Sequence, residues 1–276
     1  MKKNLKLLII FLIIPILTTS AQEISPKKQV DTMLKKAWEC YEQSKFRCMA
    51  AESKKVVEYA KKHNIPKGIA EGYYYLGIAY YSMGNLAEAI KYANKSIDYA
   101  KDKGNYKWLA YSYTLLGEIF KSLKKYDEAY FYFQKSFDLS KQNNNKKMMI
   151  VAYSNIGNLF FEKGNLKKAQ QYYEKAYQML KIVKTRDSYV ALINYNLGIA
   201  LYRQKKFKDA IPYLEKASNI YKKLSDVPSF VNTIYFLAKT YKKTGQEEKA
   251  KKILRENLEY AKKIKLEYKF LKLLKD

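Results

Sequence analysis

One histidine, two cysteines and ten glycines are spread over 276 residues, and acidic residues number 26 against 53 basic ones. So little histidine and cysteine argues against a His/Cys metal cluster, a histidine-based triad and a disulfide-built scaffold. The shortage of glycine argues against a Gly-rich phosphate loop. Neither a metal nor a cofactor is expected, and the chain is not expected to be an enzyme. Apolar material is not scarce: 48% of the residues are hydrophobic and 15% aromatic, far above the composition of a disordered chain.

Lys2, Lys3 and Lys6 precede an apolar run from Leu7 to Leu17, which is followed by Thr18, Thr19, Ser20 and Ala21. This is the three-part layout of a secretory signal peptide (residues 1–21), with cleavage expected after Ala21. The run is short for the ~20 residues of a spanning helix, and no second such run follows. A periplasmic or secreted location is therefore expected, with no transmembrane segment left after cleavage. Gln22 rather than a cysteine follows the cleavage point, so lipid anchoring is not indicated.

The formal charge is +27, or +24 once the three leader lysines are gone. Such a charge suits a nucleic-acid partner in sign, but the lysines are scattered as pairs along the whole chain, arginine is rare and no basic block stands out. No specific nucleic-acid partner is expected. Weak association with an anionic envelope surface stays open.

The dominant signal is an internal repeat. A small residue recurs at Gly77, Gly117, Gly157, Gly198 and Ala238, at intervals of 40, 40, 41 and 40. Twelve residues after each comes Ala89, Ala129, Ala169, Ala210 and Ala250; Ala37 and Met49 hold these places in a worn first copy. Around each slot the apolar spacing is helical, as in Tyr73, Leu76, Gly77 and Tyr80. A second helix follows a short turn, marked by Gly84-Asn85, Gly164-Asn165 and Gly245-Gln246 but by Lys124-Lys125 and Lys205-Lys206 in two copies. The spacing predicts an all-α chain of antiparallel helix pairs, with Gly77 facing Ala89 so that the helices approach closely.

The run Tyr73-Tyr74-Tyr75-Leu76-Gly77-Ile78-Ala79-Tyr80 with Ala89, repeated at Tyr153 to Phe160 with Ala169, resembles the tetratricopeptide repeat (TPR). The repeat is usually 34 residues in that family; at about 40, this one resembles the longer variant of bacterial sensor proteins and kinesin light chains. The resemblance implies a right-handed α-solenoid of about six repeats (about 27–66, 67–105, 106–145, 146–186, 187–227 and 228–265, within 22–265) and a short C-terminal capping helix at 266–276. It also implies that the first helix of each repeat lines a concave groove, with residues three before, one after and five after the small slot facing inward. These are Tyr74, Ile78 and Ser82, then Thr114, Glu118 and Ser122, Ser154, Asn158 and Glu162, Tyr195, Ile199 and Arg203, and finally Tyr235, Lys239 and Lys243.

Asn155 and Asn196, two residues before their slots, are candidates to hold a peptide backbone, because an amide both donates and accepts. The family's carboxylate-clamping set is replaced here by Tyr74, Glu118 and Asn158. Since Glu118 would repel an anion, a neutral or basic extended segment is the expected occupant. The implied function is a non-catalytic scaffold that binds a protein or peptide. The alternative is a sensory module acting with a separate signalling partner, as in the periplasmic input regions of bacterial membrane kinases.

The remaining reactive residues read as structural. His63 is expected to be a solvated loop residue, and Glu71, Glu118 and Glu162 to belong to a solvated helix face. Cys40 falls in a buried slot and Cys48 in an exposed one, and this opposite facing argues against a disulfide between them.

Overall fold

The structure, a computed structural model, describes residues 25–275; the expected leader lies outside them. The described residues form α1 (Pro26–Glu42), α2 (Phe46–Lys62), α3 (Pro66–Ser82), α4 (Leu86–Asp102), α5 (Tyr106–Ser122), α6 (Tyr126–Gln142), α7 (Lys146–Glu162), α8 (Leu166–Leu180), α9 (Asp187–Arg203), α10 (Phe207–Lys223), α11 (Val227–Lys243), α12 (Glu247–Glu256), α13 (Leu258–Lys263) and α14 (Glu267–Lys275). Except for α8, each of the first eleven is 17 residues long. Each connector but one among them has three residues, so the sequence period of about 40 is two equal helical steps.

The connectors share one backbone device. Their middle residue lies in the left-handed region: Gly84, Gly104, Gly164 and Gly245, but also Ser44, Asn64, Lys124, Asn144, Lys205 and Ser225, with φ between 50° and 78°. The next residue donates its N–H back into the ending helix, as from Asn85 to Tyr80, Lys125 to Phe120 and Asn165 to Phe160, at 2.8–2.9 Å, which closes the exposed carbonyls. That same residue then caps the following helix, and the side chains of Asn85, Asn145, Asn165 and Asp226 each accept an N–H three residues on. The turns without glycine thus have the conformation of those with it. The exception is the longer connector 181–186 between α8 and α9.

Packing sets the curvature. The first helix of each pair touches the first helix of the next (α1 with α3, and so on through α9 with α11), whereas among the described residues no second helix packs against another second helix. A closely spaced inner layer and a splayed outer layer bend the stack, leaving α1, α3, α5, α7, α9 and α11 on the concave side.

The small slots close each pair. Ala89, Ala129, Ala169, Ala210, Ala238 and Ala250 have no exposed surface. At the glycines the second helix supplies a large side chain: a methyl added to Gly157 would stand 2.5 Å from the Tyr173 ring, one on Gly117 2.5 Å from Phe133, and one on Gly198 2.8 Å from Leu214. Gly77 faces Ala89 as expected, with the Ala89 carbonyl 3.5 Å from such a methyl, and Leu115 of the next repeat comes within 2.7 Å. At the C-terminal end, α14 lies against α11 and α12 and buries Phe270 completely.

The opposite facing of Cys40 and Cys48 does not keep them apart. Cys40 and Cys48 are bonded, with Cα atoms 5.7 Å apart. Both lie within one helical turn of the α1–α2 connector, where the connector rather than the facing of each helix sets the separation.

Candidate functional site

Five residues of the expected stripe, Asn158, Glu162, Tyr195, Ile199 and Arg203, line one cavity, and the two halves of the inner layer differ. In the C-terminal half a cavity of about 280 Å³ opens between α7, α9 and α11, bounded by Asn158, Tyr195, Asn196, Ile199, Arg203 and Phe236 together with Lys121, Phe161, Glu162 and Tyr173. Asn158 Oδ1 accepts from the Tyr173 hydroxyl at 2.7 Å and from Asn196 Nδ2 at 3.0 Å. These two bonds fix the amides and leave Asn158 Nδ2 as a donor and Asn196 Oδ1 as an acceptor. A fixed donor beside a fixed acceptor matches a peptide group, which offers one of each. The structure pairs Asn196 with Asn158 rather than with Asn155, which is half-buried on the same helix as Asn158 but does not line this cavity.

Charge is arranged around the cavity. Lys121 Nζ lies 2.8 Å from Glu118 and 3.6 Å from Glu162. Burial alone would lower the Lys121 pKa, but the two carboxylates reverse this and raise it. Glu118 is therefore an ion-pair partner, not the free anion of a solvated face, and its repulsion of a ligand carboxylate is largely cancelled. Arg203 makes no ion pair among the described residues. Further along the stripe, the Lys239 ammonium stands 5.3 Å from the Tyr235 ring centre and 5.9 Å from that of Tyr202.

The N-terminal half is aromatic. Tyr74 packs on Trp108 and Tyr111 at 5.4 and 5.7 Å, and Tyr75 on Trp38 at 5.6 Å. Burial in this cluster raises the Tyr74 hydroxyl pKa, with Tyr111, Tyr75 and, across the groove, Tyr189 of α9 adding to the effect. Glu71, one turn before Tyr74, corrects the expectation of a solvated carboxylate: it is largely buried, and desolvation pushes its pKa up to about 7 against the opposing pull of Lys107 and Lys67. His63 caps the end of α2, exposed, with its ring 4.3 Å from that of Tyr59.

Four residues that bound the cavity escaped the sequence reading. Tyr173 belongs to the outer helix α8 and reaches the groove only because Gly157 leaves room for its ring. Lys121, Phe161 and Phe236 lie off the predicted stripe; the aromatic repeat Tyr195/Tyr235 pointed near Phe236 but not to it. Among the described residues no cluster of His, Cys, Asp and Glu suits a metal ion, and no helix is long and apolar enough to cross a membrane.

Stacked helix pairs with small residues at each inner contact and a lined concave face define a helix-turn-helix α-solenoid. The chain belongs to the tetratricopeptide-repeat family, whose model matches residues 68–142, 110–182, 148–223 and 189–263 in overlapping registers. No curated protein matches the sequence. Among solved structures, BtubC (BKLC) from P. vanneervenii superposes with a TM-score of 0.70 at 19% identity, covering 80% of this chain and 92% of that one. The apo form of RapI gives 0.64 at 16% identity over 90% and 95%. A Rap protein complexed with Competence and Sporulation Factor gives 0.66 at 13% identity over 90% and 74%. At such identities the likeness extends to the fold.

Proposed function

We propose that this protein is an exported, non-catalytic scaffold that binds an extended protein or peptide segment in its concave groove. The observation that carries the reading is the Asn158–Asn196 pair, held by Tyr173 so that a donor and an acceptor are left side by side above an apolar floor of Ile199 and Phe236. Affinity for backbone rather than for particular side chains follows from that geometry. The fold-level likeness to a Rap protein solved with a bound factor is in keeping with it. The Cys40–Cys48 bond supports export, because such bonds persist in oxidising compartments.

A sensory role with a separate signalling partner is the second reading, favoured by the likeness to the quorum sensor NprR from B. thuringiensis, with a TM-score of 0.62 at 16% identity. Both readings use the same groove. The test is capture from envelope extract by residues 22–276 at moderate salt, beside Asn158→Ala/Asn196→Ala. A partner kept by the wild type and weakened by more than ~1 kcal/mol in the double variant, with unchanged circular dichroism, supports the groove. Partners that wash off with salt and ignore the substitutions would assign the contacts to the surplus positive charge instead.

A further inference from the structure

The aromatic half of the groove holds a carboxylate without an ion-pair partner among the described residues. Glu71 makes no ion pair within 4 Å among the described residues; its half-buried carboxyl lies beside the Tyr75 hydroxyl, with Lys107 and Lys67 as the cations that balance it from farther off. The rings nearby already take a cation: the Lys107 ammonium lies 4.5 Å from the Trp108 ring centre and 5.9 Å from that of Tyr111, on an exposed side chain free to swing away. Negative ring faces around a desolvated carboxylate attract positive charge.

We propose that the cluster of Glu71, Tyr75, Trp108 and Tyr111 is a subsite for an arginine or lysine side chain of the segment that the groove binds. The cationic head group pairs with the Glu71 carboxylate and displaces the Lys107 ammonium from the rings of Trp108 and Tyr111. The inference rests on the groove reading and adds the chemistry of one residue of its occupant.

Several charged and titratable groups face Glu71: Asp31 of α1, Lys67 and Tyr75 of α3, and Lys107 of α5. With the Glu71 pKa at about 7, binding a cation at lower pH must first remove a proton. Affinity for a cationic segment therefore rises with pH up to about 7 and levels off above it.

The experiment uses an array of capped heptapeptides carrying, at each position in turn, arginine or citrulline, which keeps the shape and loses the charge. For the best-placed position we expect at least tenfold preference for arginine at pH 8, shrinking severalfold at pH 5.5, and an arginine-to-citrulline ratio near one in Glu71→Gln. Lys107→Ala, which removes the resident cation, should enlarge the preference. A preference unchanged in Glu71→Gln would overturn the subsite. So would peptides whose retention depends on Asn158 and Asn196 but never distinguishes arginine from citrulline; the groove reading would then stand alone. Failure of the wild type to retain any peptide would overturn both.

Discussion

The two halves of the groove are built on the same backbone and do opposite things with it. In α3 and α5 rings pack on one another beside Glu71, which has no ion-pair partner among the described residues, loses much of its solvent and holds its proton to about pH 7, whereas Glu118 of α5 is paired with Lys121. In α7, α9 and α11 the equivalent places carry amides and cations, and Asn158, Asn196 and Arg203 remain reachable at the wall of a cavity. The helix pairs are closed by the small slots and the outer helices, which leaves the inner stripe free of structural duty. A solenoid can therefore change the character of its groove from one repeat to the next without changing its fold.

The largest effect that separates the halves is steric. Gly157→Leu would drive a side chain into the Tyr173 ring, cost about 3 kcal/mol by overpacking, and pull away the hydroxyl that holds Asn158. The melting temperature should fall, and binding that depends on the amide pair should fall with it; an unchanged melt would refute the packing. Next comes the Cys40–Cys48 bond, which is confined to the first helix pair. Closing so short a loop is worth about 2–3 kcal/mol on the chain-entropy account, so reduction should loosen α1 and α2 in hydrogen exchange while α9 to α11 keep their protection.

The third effect is electrostatic. Because its folded pKa is raised, Glu71 holds a proton that the unfolded chain has already released between about pH 4.5 and 7. Its contribution makes stability fall as pH rises through that window, by roughly 1–3 kcal/mol, and stay flat above it. Glu71→Gln should remove that fall, whereas the Asn158→Ala/Asn196→Ala variant should retain it; denaturation midpoints at pH 5 and pH 8 decide the matter. Smallest is Lys124→Gly: the left-handed φ of 58° at Lys124 favours glycine, and the gain in unfolding free energy should be below ~1 kcal/mol.

The legible and illegible parts of the molecule differ in physical kind. The helix pairs and the small slots could be read because close approach demands a small residue at a fixed place, and a repeated demand leaves a period. Asn158, Tyr195 and Arg203 came from the inward stripe that the family resemblance implies, and Asn196 from the amide chemistry of the position two before its slot. Tyr173 was not legible, since it acts through the gap that another residue leaves. The disulfide was not decided by the sequence, because helix facing argues against it while closeness to a three-residue connector, visible only in the fold, brings the two sulfurs together. Glu71 was misread because its own helix exposes it and only the rings of neighbouring repeats bury it.

By itself, the sequence determined the repeat length, the helix pairing and the family, since these follow from local spacing and from side-chain size. Only the tertiary structure decided which charges are paired, which carboxylate is desolvated and which amides are fixed. Those properties depend on atoms from helices tens of residues apart, as when Asn196 reaches Asn158 across 38 positions, and the period of one helix carries no record of what its neighbours place against it.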